Sequence, residues 1–235
     1  MNNNFITLCF LFSLVFFSCK KDEETVVPVN YGYNYAGLTV GKYVIYDVDS
    51  IFYNVPFGIV NNYKFQLKEV VDSKYIDAQG KEAYKIIRYK KDTAVSPDWV
   101  HQVVWNATIT NSNFQKVEDN VRFVKLIFPV KNGKKWNGNS MNTLSDWEYE
   151  YTSTHQPERI GTTNLDSVTT VTQFDDENEI LIQRQFYQEK YATNIGLVYK
   201  KSVDITKKFD SISGTFQNSE GVDITYTFNS YAFGN

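Results

Sequence analysis

The chain is poor in the residues that carry most side-chain chemistry. Two cysteines, two histidines and two methionines occur in 235 residues. Two cysteines are too few for a disulfide framework, and two histidines are too few for a histidine-rich metal centre. Leucine occupies only ten positions beside 17 Tyr and 17 Phe, a balance that disfavours helical bundles and suits pleated strands. Basic residues are not in excess: 24 Lys and Arg stand against 27 Asp and Glu, a net charge of -3, so no basic field is present to attract nucleic acid. No apolar run reaches the roughly 20 residues that a membrane-crossing helix needs. What is present, 42% hydrophobic and 16% aromatic residues, excludes a solvated, unstructured chain and is enough for one large domain.

The longest apolar run is Phe5 to Phe17, followed at once by Ser18-Cys19 and the charged stretch Lys20-Lys21-Asp22-Glu23-Glu24. Its length fits the core of an export signal, about 7–15 residues. A cysteine after a small residue directly behind such a core resembles the lipobox of bacterial lipoproteins. That resemblance implies cleavage after Ser18, a diacylglycerol on the Cys19 thiol and an acylated new amine, palmitate included. Phe16 and Phe17 depart from the common leucine and small residue, a looseness typical of Bacteroidota, and Met1-Asn-Asn-Asn4 supplies no Lys or Arg before the core. Lys21, Asp22, Glu23 and Glu24 resemble the signal that sends Bacteroidota lipoproteins to the outer face of the outer membrane; the periplasmic face is the alternative. Attachment through two or three acyl chains, at about 0.8 kcal/mol per buried CH₂, is effectively permanent. Cys9 would leave with the signal peptide, so the mature chain would hold neither free thiol nor disulfide.

These readings divide the chain into a signal peptide over 1–18, a lipidated tether over 19–35 and a β domain over 36–235. The tether has no strand or helix period and contains Pro28 and Gly32; its residues 20–35 span up to roughly 50 Å when extended. From Leu38 onward the pattern is period-two alternation. Val44, Tyr46 and Val48 alternate with Ile45, Asp47 and Asp49; Tyr63, Phe65 and Leu67 alternate with Lys64, Gln66 and Lys68; Trp147, Tyr149 and Tyr151 alternate with Glu148 and Glu150. Segments 83–89, 121–128 and 180–187 are apolar on both faces in places, which predicts central strands or bulges. Asn132-Gly133, Asn137-Gly138 and Glu220-Gly221 are turn signals at hairpin spacing. The expected fold is all-β: a single large antiparallel sheet of about ten strands curled into a barrel, half-barrel or sandwich, with helix limited to a turn near 142–147. Leu38–Tyr46 and Tyr191–Tyr199 resemble segments of β-rich Bacteroidota envelope lipoproteins, which implies class and location and no activity.

The sequence offers few residues for catalysis. His101 and His155 lack a neighbouring Ser or Asp pattern and read as structural or surface groups, so neither a metal nor another cofactor is expected. Glu148 and Glu150 stand i, i+2 on a strand, about 6.5–7 Å apart, a spacing permissible for an accessory glycoside hydrolase. Trp99 and Trp136 lie beside turn residues and are the possible ligand-binding aromatics, for a glycan or an apolar molecule. Ser50, Thr93, Ser167 and Ser211 follow an aspartate and precede an aliphatic or alanine residue, which resembles the Bacteroidota O-glycosylation acceptor. Turn initiation by Asp-Ser explains the same pattern. The expectation is a lipid-anchored, surface-exposed envelope lipoprotein with a non-enzymatic binding or structural β domain, the membrane being its partner through covalent lipid.

Overall fold

A computed structural model of the chain describes residues 30–92, 94–176 and 181–234, and the compact folded unit begins at Tyr31. Twelve antiparallel strands follow in order: β1 (Lys42–Asn54), β2 (Ile59–Ile76), β3 (Glu82–Lys91), β4 (Val100–Ile109), β5 (Asn113–Glu118), β6 (Val121–Ile127), β7 (Lys135–Asn137), β8 (Glu148–Ile160), β9 (Thr163–Asp175), β10 (Gln183–Ala192), β11 (Gly196–Asp210) and β12 (Thr215–Phe233). Every ladder joins sequence neighbours except one, the pairing of β1 with β12, where Lys42 lies opposite Phe233 and Asn54 opposite Glu220. The sheet is thereby nearly closed into a barrel.

The alternation works as the period of a strand requires. Val44, Tyr46 and Val48 are buried while Asp47 and Asp49 are exposed, and Tyr149 and Tyr151 are buried while Glu148 faces solvent. Closure stops between β6 and β7, which share no ladder. Side chains stitch that seam. The Trp136 indole donates to the Val124 carbonyl at 2.8 Å, and the Tyr151 hydroxyl donates to the Ile127 carbonyl at 2.8 Å and accepts from its N–H at 2.9 Å. The backbone adds one bond, Val124 N–H to the Gly138 carbonyl at 2.9 Å.

The floor of the barrel is plugged by residues that the sequence assigned to the tether. Tyr33–Ala36 form a 3-10 turn, and Tyr35 is fully buried, its hydroxyl 2.7 Å from Ser167 Oγ and 2.8 Å from His155 Nδ1. Residues 31–35 thus belong to the compact unit, where the Tyr35 side chain of an otherwise patternless stretch is buried. Gly37 continues the plug at φ 63°, and a Cβ there would lie 2.3 Å from the Ile195 carbonyl oxygen, so only glycine permits the approach. The helical turn expected near 142–147 is absent among the described residues; that stretch is a bend followed by irregular chain, and the second 3-10 turn is Val55–Phe57.

Candidate functional site

Seven charged side chains cross the interior as one alternating chain. Arg88 on β3 donates from Nη2 and Nε to Glu69 Oε1 on β2, at 2.5 and 3.1 Å. Lys116 on β5 donates to Glu69 Oε2 at 2.9 Å and lies 3.3 Å from Glu118 on its own strand. Lys125 on β6 bridges Glu118 at 3.2 Å and Glu189 on β10 at 3.0 Å. Lys200 on β11 ends the chain 3.6 Å from Glu189. The Tyr191 hydroxyl donates to the other Glu189 oxygen at 2.5 Å, and the Arg88 guanidinium sits 3.8 Å from the Trp105 ring centroid.

Local backbone irregularity delivers one member. In the β5–β6 ladder Phe114 pairs with Leu126 and Gln115 with Val124, so Lys125 is the unpaired extra residue of a bulge. The bulge turns its ammonium inward, between two carboxylates from different strands.

The charges hold one another ionised against burial. Burial alone would raise the Glu69 carboxyl, but the neighbouring Lys116 and Arg88 outweigh it and bring the pKa down to about 2. Burial likewise opposes ionisation of Glu118, yet Lys125, Lys200 and Lys116 hold it well below the usual carboxylate range. Burial opposes the charge on Lys125, and Glu118 and Glu189 overcome it, so this ammonium is held protonated more firmly than an ordinary lysine. Burial pushes the Tyr149 and Tyr187 phenols up to about 12, keeping them neutral donors at physiological pH.

The chain separates two spaces. On the floor side lies a void of about 50 Å³ bordered by Lys42, Tyr46 and Glu69. Lys42 enters it from β1 and donates to the Asn194 and Ile195 carbonyls, both at 2.8 Å, while burial lowers its pKa to about 8. On the other side lies an open cavity of about 380 Å³, with walls that include Phe123, Leu144, Trp147, Tyr149 and Tyr187 and a polar base that includes Lys125, Lys200 and Gln173. Trp147 is packed against Phe174 and Tyr187, with ring centroids 5.2 and 4.8 Å apart. Gly138 gives the Tyr149 ring its seat, since a Cβ there would come within 2.2 Å of that ring. A volume of this size, mostly apolar with a few converging polar groups, is what small-molecule sites look like.

The residues singled out from the sequence lie elsewhere. Trp136 is spent on the seam, its ring against Tyr149 and Tyr151. Trp99 sits in the β3–β4 loop beside the ammonium groups of Lys68 and Lys91, 4.8 and 5.6 Å from its ring. Neither lines the cavity, where Trp147 is the tryptophan. Glu148 and Glu150 share one partner, Lys135, at 2.7 and 3.7 Å on the outer surface. His155 packs with Tyr35, and His101 is exposed with Tyr89 at its edge. Ser50 is mid-strand opposite Ile224, and the Ser167 hydroxyl is engaged by Tyr35. Ser211 is exposed in a turn where Asp210 accepts from the N–H groups of Ile212 and Ser213, as turn initiation predicts. Cys19, Lys21, Asp22, Glu23, Glu24 and Thr93 lie outside the described residues. Among the described residues no three His, Cys, Asp or Glu side chains converge as a metal site.

The ion chain was missed because an inward charge looks like a surface charge when strands are read one residue at a time. Its signal is a charge in phase with the apolar face: Leu67-x-Glu69-x-Val71, Ile86-x-Arg88, Phe114-x-Lys116-x-Glu118, Tyr187-x-Glu189-x-Tyr191 and Val198-x-Lys200.

No family model matches the chain, and no curated protein shows a significant match. Two solved structures overlap with it. One, from Bacteroides fragilis, is described as an exported protein with a YmcC-like fold; it is 12% identical over 83% of this chain and 96% of its own, with a TM-score of 0.41. The other, from Parabacteroides distasonis, is described as a lipoprotein; it is 10% identical over 88% of this chain and 100% of its own, with a TM-score of 0.34.

Proposed function

We propose that this protein is a lipid-anchored envelope lipoprotein, held through Cys19 at the cell surface, whose barrel binds a small molecule with an apolar body and performs no catalysis on it. The observation that carries the binding reading is the 380 Å³ cavity, with aromatic walls and a base of ionised, mutually held side chains. Lys125 at that base is locked between Glu118 and Glu189, and Tyr149 and Tyr187 stay neutral, which suits orienting a ligand better than moving protons. The Lys135 clamp on Glu148 and Glu150, outside the barrel, gives the hydrolase reading no enclosed site.

Binding is tested with a neutral, environment-sensitive apolar dye. Saturable uptake is expected, and Ser202→Phe, which places a ring in the cavity, should abolish it; uptake unchanged by that substitution sinks the binding reading. Catalysis would be revealed by glycan turnover that disappears in Glu148→Gln. For the anchor, an alkynyl palmitate label should appear on wild type and be lost in Cys19→Ser. Surface display requires external protease to remove the protein from intact cells; cleavage seen only after lysis assigns it to the periplasmic side.

A further inference from the structure

The ion chain ends one charge out of step. Four cations, Arg88, Lys116, Lys125 and Lys200, alternate with three carboxylates, Glu69, Glu118 and Glu189. At the Arg88 end the extra positive charge is covered, since the guanidinium makes two hydrogen bonds to Glu69 and lies over the Trp105 ring. At the Lys200 end the cover is thinner: the ammonium lies 5.9 Å from the Tyr226 ring centroid and has no bidentate partner among the described residues. Glu189 is 3.6 Å away, beyond hydrogen-bond reach, and its two oxygens already accept from Lys125 and Tyr191.

A second donor lines the same cavity from another strand. Gln173 on β9 is 5% exposed, and its Nε2 is buried without a hydrogen-bond partner. Buried amide groups are almost always paired, so an orphan donor on a residue that lines a cavity calls for an acceptor. An ammonium and an amide N–H both ask for oxygen, and the unmatched charge asks for that oxygen to be anionic.

The surroundings restrict where such an anion can sit. Glu118, the one carboxylate among the cavity's lining residues, is engaged by Lys116 and Lys125. The adjoining outer hollow is lined by Asp204 and Glu220, which repel an anion. Asp204 follows Lys200 by four residues on the same face of β11, about 13 Å along the strand. The field therefore favours a negative head at the base of the cavity and disfavours one at its rim.

We propose that the occupant of the cavity is an amphipathic monoanion, a carboxylate in chemical class. Its head accepts from Lys200 and Gln173, and its apolar body lies among Phe123, Leu144, Trp147, Tyr149 and Tyr187. This rests on the binding reading above and adds the charge of the head group.

The test uses the full lipidated chain in nanodiscs, titrated calorimetrically against empty nanodiscs with three ligands of one chain length: octanoate, octanamide and octylamine. Octanoate should bind roughly tenfold or more tightly than octanamide, the scale of one charge-assisted hydrogen bond, and octylamine most weakly. Lys200→Met should bring octanoate down to the octanamide level and leave octanamide unchanged, Lys200→Arg should keep the preference, and Gln173→Leu should weaken octanoate several-fold. Equal binding of octanoate and octanamide to the unaltered protein overturns the anion assignment while the binding reading stands. If none of the three binds and the neutral dye is also refused, both fall. The head-group series on unaltered protein decides the matter even where a variant does not fold.

Discussion

The two ends of the buried ion chain put the same kinds of side chain to different use. At the Arg88 end the side chains of Arg88 and Glu69 are 13% and 10% exposed, and Glu69 accepts three hydrogen bonds from two cations. At the Lys200 end the lysine is 23% exposed, its acid is already engaged, and open volume lies beyond it. Where donors and acceptors balance, buried charge fixes the packing of strands; where one donor is left over beside a cavity, the same chemistry leaves the place that the proposed anion would take. A buried network is not by itself a source of stability, because desolvation offsets much of its attraction. Breaking it is costly all the same, and the cost should fall along the chain from the closed end to the open one.

Glu69→Gln should therefore have the largest effect, about 3–5 kcal/mol of stability by chemical denaturation, because it strands Arg88 and Lys116 without their shared anion. A loss under about 1 kcal/mol would mean that the closed end relaxes as readily as the open one. Acid probes the same carboxylate. Unfolded Glu69 takes up its proton near 4.5 and folded Glu69 only near 2, so between these values the unfolded chain binds more protons. The stabilisation is complete above about 4.5, declines as pH falls and is gone below about 2, a contribution of about 3 kcal/mol. Glu118 and Glu189 shift in the same direction and steepen the acid limb. The pH dependence of the denaturation midpoint measures this, and Glu69→Gln should flatten it. In mid-chain, Tyr191→Phe removes the hydroxyl donated to Glu189 and should cost about 1.5–3 kcal/mol. Lys200→Met should cost least, about 1 kcal/mol, since the pair is 3.6 Å apart and Glu189 keeps its bonds from Lys125 and Tyr191. If Lys200→Met proves as damaging as Glu69→Gln, the distinction between the two ends fails.

Much of the architecture is legible in the amino-acid order because strand alternation is a local property. Tyr46 between Ile45 and Asp47 already states its face, and the all-β barrel follows once enough such runs are separated by turns. The seam is not legible, since β7 is only Lys135–Asn137 and the gap to β6 is closed by its own Trp136 indole and by the Tyr151 hydroxyl of β8 rather than by an alternating pattern. The cavity residues escaped for a different reason. Trp136 and Trp147 look alike in sequence, and which one reaches the cavity depends on the seam that buries the first. Lys125 is further obscured, because a bulge reverses the side on which alternation would place it.

The pairing of β1 with β12 also sets the order in which the barrel can be finished. Ten strands can zip onto the strand just before them, as local hairpins do, but β1 keeps one unpaired edge until Thr215–Phe233 exists. A chain made from its N-terminus must carry that edge through nearly its whole synthesis, and one cut short after Gly214 would add two open edges, β1 and β11, to those of β6 and β7, each a template for aggregation.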